Sequence, residues 1–246
     1  MSGNMNTALE SEKSLIFSYL ALRRAVGVLG AMLPVVVSVG ACLIDQTGIQ
    51  SSISSYYYTV MRNVFVGTLW ALGVFLMFYK GYECADAVAS RLGGVFAIGV
   101  SLFPTAPDVD PTVGAQWIGR IHFAFAALFF MTLAYMSLFL FTKTHRDKPK
   151  IPITAYLSLF RSAKKHPYQM KIPPRRKLQR NVIYYFCGVT MLACLLGIVL
   201  YFTLFKNSGA PSGGNNPVFW LEAIAIFAFG ISWFIKGETL FKDKVG

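Results

Sequence analysis

Residues 182–205 read VIYYFCGVTMLACLLGIVLYFTLF, an apolar stretch without a charged side chain. An α-helix rises about 1.5 Å per residue and the hydrocarbon core of a bilayer is about 30 Å thick, so about 20 such residues suffice to cross a membrane. This stretch is therefore predicted to be a transmembrane helix, and the rest of the chain repeats its pattern.

Segments of this kind account for most of the 246 residues. Their predicted bounds are 25–44, 57–79, 87–104, 117–142, 182–205 and 218–235. The composition agrees, since 55% of the residues are hydrophobic and 15% are aromatic, with a mean hydropathy of +0.52. We therefore expect an all-α, polytopic membrane protein, a bundle of six transmembrane helices over residues 25–235.

Basic residues are distributed unevenly among the connections. The stretch 143–180 carries twelve Lys or Arg residues against one acidic residue, Asp147, whereas the loops after the first, third and fifth segments carry few charges. Basic loops stay in the cytosol. Loop 143–181 and both tails, 1–24 and 236–246, are therefore predicted to be cytosolic, and an even number of spans agrees with this.

The net charge of +12 follows mainly from this loop and the tails. Beside membrane spans, cytosolic retention and anionic lipid explain such charge, so we expect loop 143–181 to contact anionic lipid of the inner leaflet. We expect no nucleic-acid partner. A docking site for a protein partner on the same loop is an alternative, and the sequence leaves the oligomeric state open.

Polar groups inside membrane spans are costly, so each is a candidate functional residue. Those predicted near the outer ends of the second, fourth and sixth segments, or in the outer loop beside them, are Arg62, Asn63, Arg120, His122, Glu222, Asp108 and Asp110. His122 shares a helical face with the small residues Gly119 and Ala126, so it is predicted to face the bundle interior. At the inner end of the third segment, Asp86 and Arg91 are predicted to pair.

The leading hypothesis is a protein that binds or senses a phospholipid headgroup in an outward-facing polar site. Arg62 and Arg120 are the candidate phosphate ligands, because a guanidinium matches phosphate in a bidentate manner. Asn63 and Asp108 are further candidates for ligand binding. Arg120 and His122 lie about 200° apart around their helix, so both are not expected to point straight into one pocket.

An alternative is a membrane-embedded lipid hydrolase or transferase, in which His122 and Glu222 transfer protons with Asp108 or Asp110 as a further carboxylate. A second alternative is a small transporter or channel with an outer vestibule at the same place. A zinc hydrolase is not indicated, since such a site needs about three protein ligands and only one His lies within a span. Neither a Gly-x-Ser-x-Gly motif nor a P-loop occurs, and we expect no metal and no cofactor.

The stretch 48–54, GIQSSIS, is followed by a second span that opens RNVFVG at 62–67, and LFPT occurs at 102–105. With the order of the spans, these stretches resemble the six-span FRAG/DRAM/SFK group and its uncharacterised bacterial relatives. The resemblance covers the transmembrane region and rests mainly on hydropathy and topology. It implies lipid handling and little else, and it carries over no catalytic residue. We expect the protein in a bacterial inner membrane rather than in a eukaryotic endomembrane.

Overall fold

The computed structural model describes residues 2–79, 81, 83–143, 175–205 and 216–237. The helices in these ranges are α1 Ser2–Ile44, α2 Arg62–Phe78, α3 Cys84–Leu102, α4 Val113–Tyr135, α5 Arg175–Leu200 and α6 Pro217–Lys236. The π-helical turns Met136–Leu140 and Tyr201–Phe205 extend α4 and α5, and a 3-10 helix, Ser54–Tyr58, lies between α1 and α2. Over these described ranges the chain contains helices and no β-strand.

Five of the helices are long and apolar enough to cross a membrane. Their candidate spans are Leu20–Ile44, Cys84–Leu102, Val113–Leu140, Arg176–Leu204 and Pro217–Lys236. The chain is therefore an all-helical, multi-pass integral membrane protein. α2 is equally apolar but has 17 residues, which is about 26 Å of helix and slightly less than the hydrocarbon core.

The helix bounds differ most from the predicted spans at the starts of α1, α2 and α5. α1 is helical from Ser2, well before the predicted start of the first span at residue 25. α2 begins at Arg62 rather than at residue 57, because Tyr57 and Tyr58 belong to the 3-10 helix. The predicted basic loop 143–181 lies mostly outside the described residues, and its last part is the start of α5.

The helices form a ring in which each packs beside its neighbours in the sequence and α6 closes the ring against α1. Two crossings bring backbones close together. Where α1 crosses α6, a Cβ on Gly27 would lie 2.9 Å from the carbonyl oxygen of Gly230. Where α2 crosses α3, a Cβ on Gly73 would lie 2.9 Å from the carbonyl oxygen of Gly94. Small residues permit such close approach between helices in lipid.

Two basic side chains hold the end of α6 against α1. Arg23 Nη1 donates a hydrogen bond to Lys236 O at 3.2 Å, and Arg24 Nε donates to Gly237 O at 3.2 Å. The last carbonyl groups of a helix have no partner within it and attract positive charge. The two arginines therefore cap α6 from a neighbouring helix, at the end of the ring where α1 has its N-terminal half.

The predicted pair of Asp86 and Arg91 does not form. Asp86 Oδ2 accepts a hydrogen bond from Glu83 N at 2.9 Å and caps the start of α3, while Arg91 is exposed. Residues five apart lie about 140° from each other around a helix, so this spacing does not favour contact. Glu83 pairs instead with Lys143, whose Nζ lies 2.7 Å from Glu83 Oε2.

Candidate functional site

The connection between α1 and α2 turns into the ring and closes one end of it. Ile53, Ser54, Ser55 and Tyr56 are each at most 8% exposed. Ile53 and Tyr56 pack with residues of α1, α2 and α6 in a single apolar cluster. We call residues 53–56 the plug, and the end of the ring that they fill the plug end.

Hydrogen bonds tie the chain just before the plug to the start of α6. Asn216 Nδ2 donates to Ile49 O at 2.6 Å, and Phe219 N donates to Ser51 O at 3.1 Å. Phe219 is in the first turn of its helix, where backbone N–H groups have no partner within the helix. The start of α6 therefore gains a backbone partner from the loop that carries the plug.

The connection between α3 and α4 holds the same loop from the other side. Ser51 Oγ donates to Asp108 Oδ2 at 2.7 Å, and the hydroxyl of Tyr58 donates to Thr105 O at 2.6 Å. Burial, with a smaller contribution from neighbouring Tyr57, raises the pKa of Tyr58 above its ordinary value of 10.0. The phenol therefore stays protonated, as a donor, over the physiological pH range.

His122 lies on α4, is 2% exposed, and bonds to the plug. Its Nδ1 lies 2.7 Å from Phe103 O and 3.2 Å from Val100 O, and its Nε2 lies 2.9 Å from Ser54 Oγ. Carbonyl oxygens only accept hydrogen bonds, so Nδ1 carries the proton in the neutral imidazole. Nε2 then presents a lone pair, and the hydroxyl of Ser54 donates to it.

Glu222 lies in the second turn of α6 and binds the backbone of the plug. Its Oε2 accepts a hydrogen bond from Ile53 N, the residue just before the 3-10 helix, at 2.6 Å. The first N–H groups of a helix are unpaired within it and favour a negative charge. Glu222 therefore caps the 3-10 helix from another part of the chain.

Arg62 and Arg120 lie on the surface at the plug end, each over an aromatic ring. The guanidinium of Arg62 lies 4.2 Å from the ring centroid of Tyr57, and its Nη2 donates to the Tyr57 hydroxyl at 2.5 Å. The guanidinium of Arg120 lies 4.5 Å from the ring centroid of Trp117. Stacking of this kind orients a guanidinium and leaves its N–H edge accessible.

The structure thus divides the predicted site residues into two groups. His122 and Glu222 approach the plug from two helices, His122 at Ser54 and Glu222 at Ile53. The others are exposed: Arg62, Asn63, Arg120, Asp108 and Asp110. The side chain of Asp108 bonds to the hydroxyl of Ser51, while Asp110 has a left-handed backbone conformation with φ of 42°.

The prediction that His122 faces the interior is confirmed. Arg120 is exposed, in agreement with the predicted angle of about 200° between Arg120 and His122 around their helix. Ser54 was not predicted to contribute. The sequence does contain a pattern that could have indicated its role, because four serines at 51–55 surround the apolar Ile53. A serine that is buried together with an apolar neighbour needs a hydrogen-bond partner for its hydroxyl.

Among the described residues, no three His, Cys, Asp or Glu side chains come together in a way that would hold a metal ion. No family model, curated protein or solved structure matches this chain.

Proposed function

We propose that this chain is a lipid-interacting membrane protein that binds a phospholipid headgroup at the plug end. The observation that carries the proposal is the pair of exposed guanidinium groups stacked on Tyr57 and Trp117. Tyrosine and tryptophan favour the level of the headgroups in a bilayer. Arginine held at that level presents two N–H groups to the phosphate oxygens in a fixed geometry.

The proposed topology has six spans, with both termini in the cytosol and the plug end outside. α2 is the sixth span, and its packing between α1 and α3 in the ring supports this. Arg23, Arg24 and Lys236 lie at the opposite end from the plug, in agreement with cytosolic retention of basic residues. The resemblance to bacterial proteins of the FRAG/DRAM/SFK type supports a bacterial inner membrane.

On this topology, the basic loop 143–181 lies at the cytosolic face. Twelve basic residues in 143–180 favour anionic lipid of the inner leaflet as its partner, and a protein partner is the alternative there.

Headgroup binding is favoured over a transporter or channel, and over a hydrolase in which His122 works with Asp108 or Asp110. The plug fills the space in which a transporter or channel would need its outer vestibule. A hydrolase built from His122 with Asp108 or Asp110 is not favoured, since the hydrogen bonds of His122 go to Val100, Phe103 and Ser54.

Native mass spectrometry of the gently extracted full chain tests the proposal. The wild type is expected to retain a specific phospholipid, and Arg62→Ala and Arg120→Ala are each expected to weaken that retention about tenfold, or about 1.4 kcal/mol. Arg91→Ala, which removes an exposed arginine toward the other end of α3, is the matched control and is expected to bind as the wild type does. Equal retention by all four proteins would overturn the proposal, and measurable flux in liposomes would favour the transporter.

A further inference from the structure

Ser54 is the serine of its cluster that contacts an imidazole. Ser51 and Ser52 each bond to Ser55, with Oγ–Oγ distances of 2.9 Å and 2.8 Å. The Ser54 hydroxyl instead points its proton at the lone pair of His122 Nε2, 2.9 Å away.

Two backbone carbonyl groups orient the imidazole of His122 for its contact with Ser54. Phe103 O and Val100 O accept from Nδ1–H, which fixes both the tautomer and the plane of the ring. A nucleophile within hydrogen-bond reach of a base, with the base oriented by another acceptor, is the arrangement that activates serine in acyl transfer. Here backbone carbonyl groups occupy the position that a carboxylate occupies in a catalytic triad.

We infer that Ser54 and His122 are the nucleophile and the general base of an acyl-ester hydrolase, and that its substrates are ester-linked membrane phospholipids. The inference rests on the proposed function for the substrate class alone, because headgroup binding by Arg62 and Arg120 brings a phospholipid to the plug end.

The reaction balances with water as the co-reactant. Ser54 Oγ attacks the ester carbonyl carbon as its proton passes to His122 Nε2, and the ester C–O bond then breaks. The departing alcohol oxygen takes the proton from Nε2, which leaves an acyl group on Ser54. Water then gives a proton to Nε2 and attacks the acyl carbon, and Ser54 recovers its proton as the fatty acid leaves.

The plug controls access to this pair. Ser54 is 8% exposed, so substrate reaches its Oγ only when neighbouring side chains move aside while Ser54 stays in contact with His122. Glu222, which accepts a hydrogen bond from the backbone N–H of Ile53, is a positioning residue that acts through the plug.

A fluorophosphonate probe tests the pair directly, because it phosphonylates an activated serine with loss of fluoride. The full chain in phospholipid nanodiscs is treated with the probe, the adduct is located by peptide mass spectrometry, and fatty-acid release is measured in parallel. We expect an adduct at Ser54 in the wild type, none in Ser54→Ala, and labelling slowed by about 100-fold or more in His122→Gln, as for loss of a general base. Ser232→Ala, which alters a buried serine that bonds to Phe229 O within α6, is the matched control and should label as the wild type does.

Absence of a Ser54 adduct in folded wild-type protein would overturn the inference, and so would equal labelling of wild type and a His122→Gln variant whose thermal unfolding is unchanged. The wild-type measurement decides the matter even where the His122 variant does not fold. The probe carries no phospholipid headgroup, so its reaction with Ser54 does not depend on headgroup binding. Headgroup binding and the catalytic pair are therefore tested independently. Labelling without phospholipid retention overturns the proposed function, and retention without labelling overturns the catalytic pair.

Discussion

Glu222 Oε2 lies 2.6 Å from the backbone nitrogen of Ile53, although 169 residues separate the two in the chain. The carboxylate on α6 thereby fixes the loop between α1 and α2. Because the same loop carries Ser54 to His122, the position of the candidate nucleophile depends on an interaction made by its backbone with α6.

Removal of this carboxylate is expected to loosen the plug. Loss of the partner of a buried N–H group costs about 1–3 kcal/mol, so Glu222→Ala should lower the free energy of unfolding by about 2 kcal/mol and accelerate amide hydrogen exchange at Ile53 and Ser54. Glu222→Gln keeps an acceptor oxygen and should have a smaller effect. Exchange at these two amides that is the same in wild type and Glu222→Ala would show that the carboxylate does not hold the plug.

The crossing of α1 and α6 is expected to have no room for even one added methyl group. A Cβ on Gly27 would lie 2.8 Å from Phe234 N and 2.9 Å from Gly230 O, both backbone atoms that cannot rotate away. Gly27→Ala should therefore lower stability by about 1–3 kcal/mol, as measured by thermal unfolding in detergent. On α2, a Cβ on Gly67 would meet nothing within 4 Å, so Gly67→Ala is the control. It should leave stability unchanged or raise it by up to about 1 kcal/mol. Equal losses in both variants would argue against a close crossing.

The proposed orientation predicts which cysteines a membrane-impermeant maleimide reaches in intact cells. Cys42, near the plug end of α1, and Cys84, at the opposite end of the ring, are both free and exposed, while Cys187 and Cys194 are buried. We expect labelling of Cys42 from outside and of Cys84 only after the membrane is permeabilised. Single-cysteine variants separate the two signals, and the reverse pattern would invert the topology.

Alkaline pH is expected to weaken the loop that carries the plug. The pKa of Tyr58 is raised by burial above 10.0, so the folded protein keeps the phenol proton at a pH where the unfolded chain releases it. Stability from this group is therefore fully present below about pH 10 and is lost as the pH rises further. Thermal unfolding between pH 8 and 11 measures the effect. Tyr58→Phe, which cannot ionise, should show a shallower decline, and an identical decline would contradict this role of Tyr58.

The helical, membrane-spanning character of the chain was predictable because hydropathy depends on local composition alone. The inward direction of His122 followed from the helical repeat that it shares with Gly119 and Ala126. The bounds of α2 did not follow from hydropathy, since Tyr57 and Tyr58 are apolar enough for a span and yet lie in a 3-10 helix.

The contacts of Ser54 were not predictable in the same way. They depend on how a loop enters a bundle, which is fixed by bonds to residues far away in the chain, such as Glu222 and Asp108. The predicted pair of Asp86 and Arg91 failed for a related reason. A backbone N–H at the start of α3 competes for the carboxylate, and side-chain charges alone do not reveal that competitor.

The closure of the ring by Gly27 and Gly230 has a consequence for biogenesis. α1 leaves the ribosome well before its partner α6 is made, so α1 waits in the bilayer with its glycine surface uncovered until α6 has been synthesised. A chain that stops before α6 lacks both this partner and the carboxylate of Glu222. Premature termination would thus leave an open bundle, of the kind that membrane quality-control proteases remove.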